Sequence, residues 1–218
     1  MEEITANSFA HFIEIIEKND FAQTIYRGEP VNDTPLVPKL GRVAADKKAT
    51  VKELEQKLFG GFIARAHRYL EFEPRSKCDW LAVAQHFGLP TRLLDWTESP
   101  LVAAFFAARK PGDGFVYSTH SVKHVDPDKF DPFDLKDAGL VRLPPRFDRI
   151  HHQLGLFSIS PDPTASFDYG HMRRIQIPAN LRGMFLDVLC KSGVTDESLF
   201  PGLDGLSRYL TWSRGYED

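Results

Sequence analysis

The segment GLPTRLLDWTESPLVAAFFAA, residues 88–108, constrains this chain more than any other. It closes on a helix that is apolar all round, and such a helix has to be buried against a core. Ser99 is a natural N-cap and Pro100 suits the first helical position. Upstream, Gly88 and Pro90 make a sharp corner between a helix, DWLAVAQHFG, with Asp79 as its cap, and a short strand, TRLLDW. Polar residues crowd this corner: Gln85 and His86 before it, Thr91, Arg92 and Asp95 after it. Packing alone does not ask for them. Side chains alternate along an extended segment, so Arg92 and Asp95 point to opposite faces. Asp95, Thr97 and Ser99 stand beside the exposed N–H groups of a helix start. With an Arg nearby, that is a suitable place for phosphate or pyrophosphate. The simpler alternative is that Asp95 and Ser99 only cap the helix and Arg92 pairs with a carboxylate.

The remaining elements surround that centre. Ser8 precedes a helical stripe, Phe9, Phe12, Ile13, Ile15 and Ile16. QTIYRGE reads as a strand ended by Gly28, and PVNDTPLVPKLGRV as a Pro-bearing loop. A long helix is expected from Thr50 to about Phe72, capped by Thr50 with Glu53 and weakened at Gly60-Gly61. GFVYSTH, QLGLFSIS and HMRRIQIP are strands, and ANLRGMFLDVLCKSG and GLSRYLTW are helices. Residues 121–148 form a loop-rich insertion, long enough to suggest a functional or regulatory feature. No regular βαβα alternation appears. The pattern therefore predicts an α+β fold: one domain over 1–218, with an N-terminal helix within 1–20 and a mostly antiparallel central sheet flanked by helices.

Composition narrows the functional classes. Apolar residues are 42% and charged residues 26%, enough for an ordinary core. A net charge of -3 gives no global attraction to nucleic acid or anionic membrane. Arg142, Arg146 and Arg149 near Lys136 read as a solvated loop face. Two distant cysteines, Cys78 and Cys190, suit reduced thiols, and MEEITANSF is neither a signal peptide nor an anchor, so a soluble, cytoplasmic protein is expected. His120, His151, His152 and His171 fit no zinc spacing, and no metal is expected. The G-x-S-x-G elbow and the phosphate-binding G-x-x-x-x-G-K-[ST] loop are both missing from the sequence.

Tyr26-Arg27-Gly28, LVPKLGR (36–42), QHFGLPTRLLDWTESPLVAAFFA (85–107), RIHHQLGLFSI (149–159) and SLFPGLDGLSRYL (198–210) together resemble the FRG domain family, named for a (Phe/Tyr)-Arg-Gly motif. The long block around GLPTRLLDWT carries the specificity; Tyr-Arg-Gly alone carries none. That resemblance implies a family and not a reaction.

A weaker resemblance is to ADP-ribosyltransferases, in which an Arg or His on a first strand contacts NAD, a Ser/Thr motif leads into a small-residue helix, and a Glu follows near the C-terminal strands. Tyr26-Arg27-Gly28 is similar to the first element and DWTESPLVAAFFAA to the second, with Thr97 and Ser99 as its hydroxyls. The third departs from the pattern: the matching position is Gln153, and the alternative carboxylate is Glu197 in VTDESLF. The resemblance implies NAD as substrate and a protein or nucleic-acid acceptor, in a setting such as a bacterial toxin or phage-defence effector. Tyr26, Arg27, Gly28, His86, Arg92, Asp95, Thr97 and Ser99 would line the NAD site, and Glu197 or Gln153 would serve the reaction. Arg27 would clamp pyrophosphate with its planar fork from the surface, contributing little to folding. Thr97 or Ser99 would hold the ribose. A carboxylate would steady the oxocarbenium-like sugar formed as the glycosidic bond breaks. The competing class is a non-catalytic nucleotide- or nucleic-acid-binding module. An acidic side chain beside Arg27 favours the enzyme, and Gln153 alone favours the module.

Overall fold

The chain alternates short strands with helices. In the computed structural model, residues 1–19, 23–30, 36–47, 50–144 and 148–216 are described. The order is β1 (Glu2–Thr5), α1 (Phe9–Glu17), β2 (Ile25–Glu29), α2 (Lys39–Lys47), α3 (Val51–Ala66), α4 (Lys77–His86), β3 (Leu94–Thr97), α5 (Pro100–Ala108), β4 (Gly114–Thr119) and β5 (Gly139–Val141). After these come α6 (Asp148–His152), β6 (Gly155–Ile159), β7 (Arg173–Ile177), α7 (Arg182–Lys191), α8 (Asp196–Leu199) and α9 (Leu203–Ser213). The strands make one seven-stranded sheet in the order β1-β7-β4-β2-β3-β6-β5. Only β1 and β7 run parallel; the other neighbours are antiparallel. The fold is α+β.

α5 is the centre the sequence demands. Ser99 caps it, accepting from the Val102 N–H at 3.3 Å, with Pro100 in its first turn. Its apolar side chains are buried with Phe12 and Ile15 of α1, Phe185 and Leu189 of α7, and Tyr26, Val116, Ile175 and Ile177 of the sheet. Strand alternation sends Ile25, Leu94, Trp96, Phe115, Tyr117 and Leu156 into a second cluster, beneath Leu36, Phe167 and Met172. A third cluster joins α4 to β5 and β6 through Leu81, Val141, Phe157 and Ile159. Phe130, Phe133 and Leu135 of the 121–148 segment pack on that third cluster, so this insertion is partly core.

Several expectations are corrected. Glu2–Thr5 is a strand, held by parallel pairing to β7 rather than by any apolar pattern of its own. KLGRV, expected in a loop, opens α2 just after Pro38, and residues 31–35 of that loop lie outside the described residues. α3 stops at Ala66, short of Phe72, and runs through Gly60-Gly61 unbroken. Ser76, not Asp79, caps α4; Asp79 sits in the first turn and accepts from the Arg75 N–H at 2.9 Å. His151 and His152 lie on α6 rather than on a strand. Arg146 lies outside the described residues, as does the side chain of Arg149. Both cysteines are free thiols, and burial pushes the Cys78 thiol up to about 12, with Asp79 adding to the effect. No helix among the described residues is long and apolar enough to cross a membrane.

α5 lies so close on β2 that a Cβ at Gly28 would stand 1.9 Å from the Ala103 carbonyl oxygen and 2.7 Å from the Ala107 nitrogen. That explains the glycine of Tyr-Arg-Gly: helix and strand touch through backbone. Gly28→Ala should therefore destabilise the chain by at least about 1–3 kcal/mol, the usual cost of overpacking. Gly60→Ala, whose Cβ meets nothing within 4 Å, should stabilise α3 by about 0.5–1 kcal/mol. Urea unfolding of the two variants checks both signs.

Candidate functional site

β2 is paired with β4 along its whole length, and β3 with β6 along its whole length. Yet β2 and β3 meet at a single pair, Tyr26 with Thr97. Where that ladder stops, a cleft of about 250 Å³ opens, walled by β2, β3, α4, α5 and α6. Arg27 crosses the gap. Its Nη1 donates to the Asp95 carbonyl oxygen at 2.6 Å, supplying across the split a bond that backbone pairing does not. Its Nε and Nη2 reach Glu29 Oε1 at 2.7 and 2.6 Å. Arg27 and Glu29 are two apart on one strand and share a face, so the pairing follows from strand geometry. Glu29 is buried, and the Arg27 side chain is only 15% exposed.

Asp95 stands opposite. Its carboxylate is 65% exposed, with Oδ2 at 3.8 Å from Arg27 Nη1. Gln85 of α4 donates from Nε2 to Asp95 Oδ1 at 2.8 Å. The amide of Gln85 is oriented in turn by Thr91, whose buried hydroxyl donates to Gln85 Oε1. With its oxygen so taken, Gln85 presents N–H groups to Asp95. The corner at Gly88, where φ is +87°, is what brings α4 back alongside β3 for this contact.

The hydroxyls expected at a ribose are already engaged. Thr97 Oγ1 donates to the Gln153 carbonyl oxygen at 2.6 Å and accepts from the Ser99 N–H at 3.0 Å. Ser99 is spent on its helix cap. Gln153 lines the cleft, and its Nε2 donates to the Leu199 carbonyl oxygen at 3.1 Å. Tyr26, Gly28, His86 and Phe106 complete the lining that bears on the reading. The Tyr26 hydroxyl, whose burial pushes its pKa up, accepts from Asn19 Nδ2 at 3.2 Å.

Three expected site residues do not line the cleft: Ser99, which caps α5, Arg92 and Glu197. Arg92 points to the opposite face, buried, with Nε and Nη2 on the Glu55 carboxylate at 2.7 and 2.5 Å and Nη1 on the Pro132 carbonyl at 2.6 Å. It ties α3 and the 121–148 segment to the corner and offers nothing to the cleft. Glu197 is exposed on α8 and is not among the residues that line the cleft. Asp95, for its part, caps no helix; Ser99 does. The carboxylates beside Arg27 are Asp95 and Glu29 instead. Sequence reasoning passed over Glu29, although its i, i+2 spacing from Arg27 was the available signal. Gln85 stood at the corner without a role because its link to Asp95 depends on how tightly the chain turns.

Residues 22–114 match the family model of the FRG domain. That segment of the chain is similar to the FRG domain family. No curated protein and no solved structure matches it. Tyr26, Arg27, Gly28, His86, Asp95, Thr97 and Ser99 all lie inside the matched FRG segment. Gln153 and the RIHHQLGLFSI and SLFPGLDGLSRYL blocks lie beyond it.

Because Arg27 holds a buried carboxylate and a backbone carbonyl across the split, it belongs to the fold as well as to the cleft. Arg27→Lys should lower unfolding free energy by about 1.5–3 kcal/mol, the worth of a hydrogen bond to a charged group. That corrects the expectation of a surface clamp with unchanged melting. Calorimetry of the variant decides between them.

Proposed function

We propose that this chain is ADP-ribosyltransferase-like and takes NAD into the cleft between β2 and β3. The observation that carries the reading is the exposed Asp95 carboxylate, fixed by Gln85 and standing beside Arg27. The three elements of the resemblance also come from consecutive positions across the sheet: Arg27 on β2, Thr97 on β3, and Gln153 just before β6. The cleft is smaller than the roughly 300–1,000 Å³ of drug-sized sites, so it suits nicotinamide with its ribose, the rest of the dinucleotide lying outside.

In the proposed reaction the bond from the ribose C1′ to the nicotinamide nitrogen breaks. Nicotinamide leaves with the electron pair, and the ribose becomes oxocarbenium-like. Asp95 faces that positive charge, and being held by Gln85 it needs no reorganisation as the charge develops. Phe106, partly buried at the cleft, offers a ring to nicotinamide. A nucleophile of a protein or nucleic-acid acceptor closes on C1′ and loses its proton. Arg27 acts by holding Asp95 and Glu29, each of its three nitrogens having a contact to one of them. A toxin or phage-defence effector is a use that fits such chemistry. The amide at Gln153 favours the second reading, a binding module without turnover.

Asp95→Asn keeps the hydrogen-bonding shape and removes the charge. Transfer of label from NAD to lysate acceptors should fall at least about 100-fold, as when one transition-state stabiliser is lost. NAD affinity by titration calorimetry should hold, and Glu197→Gln should behave as the unmodified chain. NAD binding without any label transfer by the unmodified chain would instead establish the binding module.

A further inference from the structure

A second pocket, of about 440 Å³, lies among the end of α5, α7 and α9 and shares no lining residue with the cleft. Its polar wall is cationic. Arg109 Nη2 and Arg208 Nε both donate to Asp196 Oδ1, each at 2.9 Å. Their guanidinium carbons stand 4.9 and 4.7 Å from the centroid of the Phe200 ring. These contacts fix the two groups while spending few of their donors. Arg109 uses one nitrogen, and Arg208 adds only Nη2 to Asp204 at 3.1 Å. Beside them Lys110 is exposed and makes no hydrogen bond or ion pair among the described residues. Arg182 completes the wall, its Nε donating to the Ala108 carbonyl oxygen at 2.8 Å. Arg109, Lys110, Arg182 and Arg208 thus gather at one pocket, with Asp196 held between Arg109 and Arg208.

The rest of the lining includes apolar and aromatic side chains. Tyr209 and Trp212 lie with ring centroids 6.4 Å apart and planes at 33°, next to Leu186. Fixed guanidinium groups with unspent N–H donors are preorganised for an oxyanion, and aromatic faces for a flat ring. A phosphate, with three terminal oxygens, matches Arg109, Lys110 and Arg208 better than a two-oxygen carboxylate does. The volume is within the range of small-molecule sites.

We propose that this pocket binds a small aromatic phosphate of the nucleoside monophosphate type. The phosphate lies on Arg109, Lys110 and Arg208, and the base lies against Trp212 and Tyr209. The proposal does not depend on the reading of the cleft.

Titration of the isotope-labelled chain with adenosine 5′-monophosphate, followed by amide and indole NMR signals, tests it. The Trp212 indole and Lys110 amide signals should shift and saturate, while adenosine alone and inorganic phosphate alone bind much more weakly. Lys110→Glu, at an exposed position without partners, should raise Kd about tenfold or more and leave NAD binding in the cleft unchanged. Arg109→Gln should weaken the phosphate ester further than adenosine. Shifts confined to cleft residues such as Thr97 and Phe157, or none, would overturn the proposal. So would unchanged affinity in Lys110→Glu, or inorganic phosphate binding as tightly as the nucleotide.

Discussion

Arg27 bridges two strands that part company after one residue pair, and the cleft exists because they part. β2 is committed to β4 and β3 to β6, so each half of the sheet is complete without the other. Between them only Tyr26 and Thr97 pair in register. A sheet interrupted at its middle exposes backbone groups that need partners, and an orphaned carbonyl is costly. The guanidinium of Arg27 meets that need for Asp95, and its remaining nitrogens neutralise the buried Glu29. One side chain thus bonds both the Asp95 carbonyl and the Glu29 carboxylate where the sheet opens. Lys could not do the same, since a single ammonium nitrogen lacks the spread fork that reaches both partners.

The same economy runs through the neighbouring groups. Thr91 sets the amide of Gln85, Gln85 sets Asp95, and Thr97 ties the start of β6 to the start of α5. Most polar residues of the corner are therefore spent on one another. What remains turned toward solvent in the cleft is the Asp95 carboxylate. That is how a segment can carry so many polar groups directly against a core: most of them are hydrogen-bonded, and a satisfied network costs little to bury.

Much of the fold was legible in the sequence. The burial of α5, its Ser99-Pro100 start, the corner at Gly88 and the sorting of strands from helices follow from local chemistry, and the structure has them. β1 and α8 were not legible. β1 is fixed by pairing with a strand some 170 residues away, and α8 is four residues long, too short for a period to show. The site divides in the same way. That Arg27 and Asp95 belong together was readable from the two motif blocks. For Arg92 the simpler alternative, pairing with a carboxylate, is the one the structure has; its partner, Glu55, stands 37 residues away on α3, and no spacing rule links them. Thr97 looked like a free hydroxyl because sequence shows which groups are present and not which are already bonded, whereas the cap at Ser99 was readable.

The charge balance of the cleft bears on what it can hold. Arg27 is matched by Glu29, leaving Asp95 uncompensated apart from a 3.8 Å approach to the same guanidinium. A free pyrophosphate would meet an arginine whose charge Glu29 already balances and a carboxylate of like sign. The nicotinamide end of NAD differs, because its ring carries a positive charge that passes to the sugar as the bond breaks. Negative potential at Asp95 attracts the ring in the ground state and the ribose in the transition state. Only an attraction that grows along that path accelerates the reaction. The proposed reading therefore sets the cationic end of the dinucleotide in the cleft and its phosphates outside. On the proposed reading, Arg27 moves from ligand clamp to the group that holds Asp95 where the charge develops.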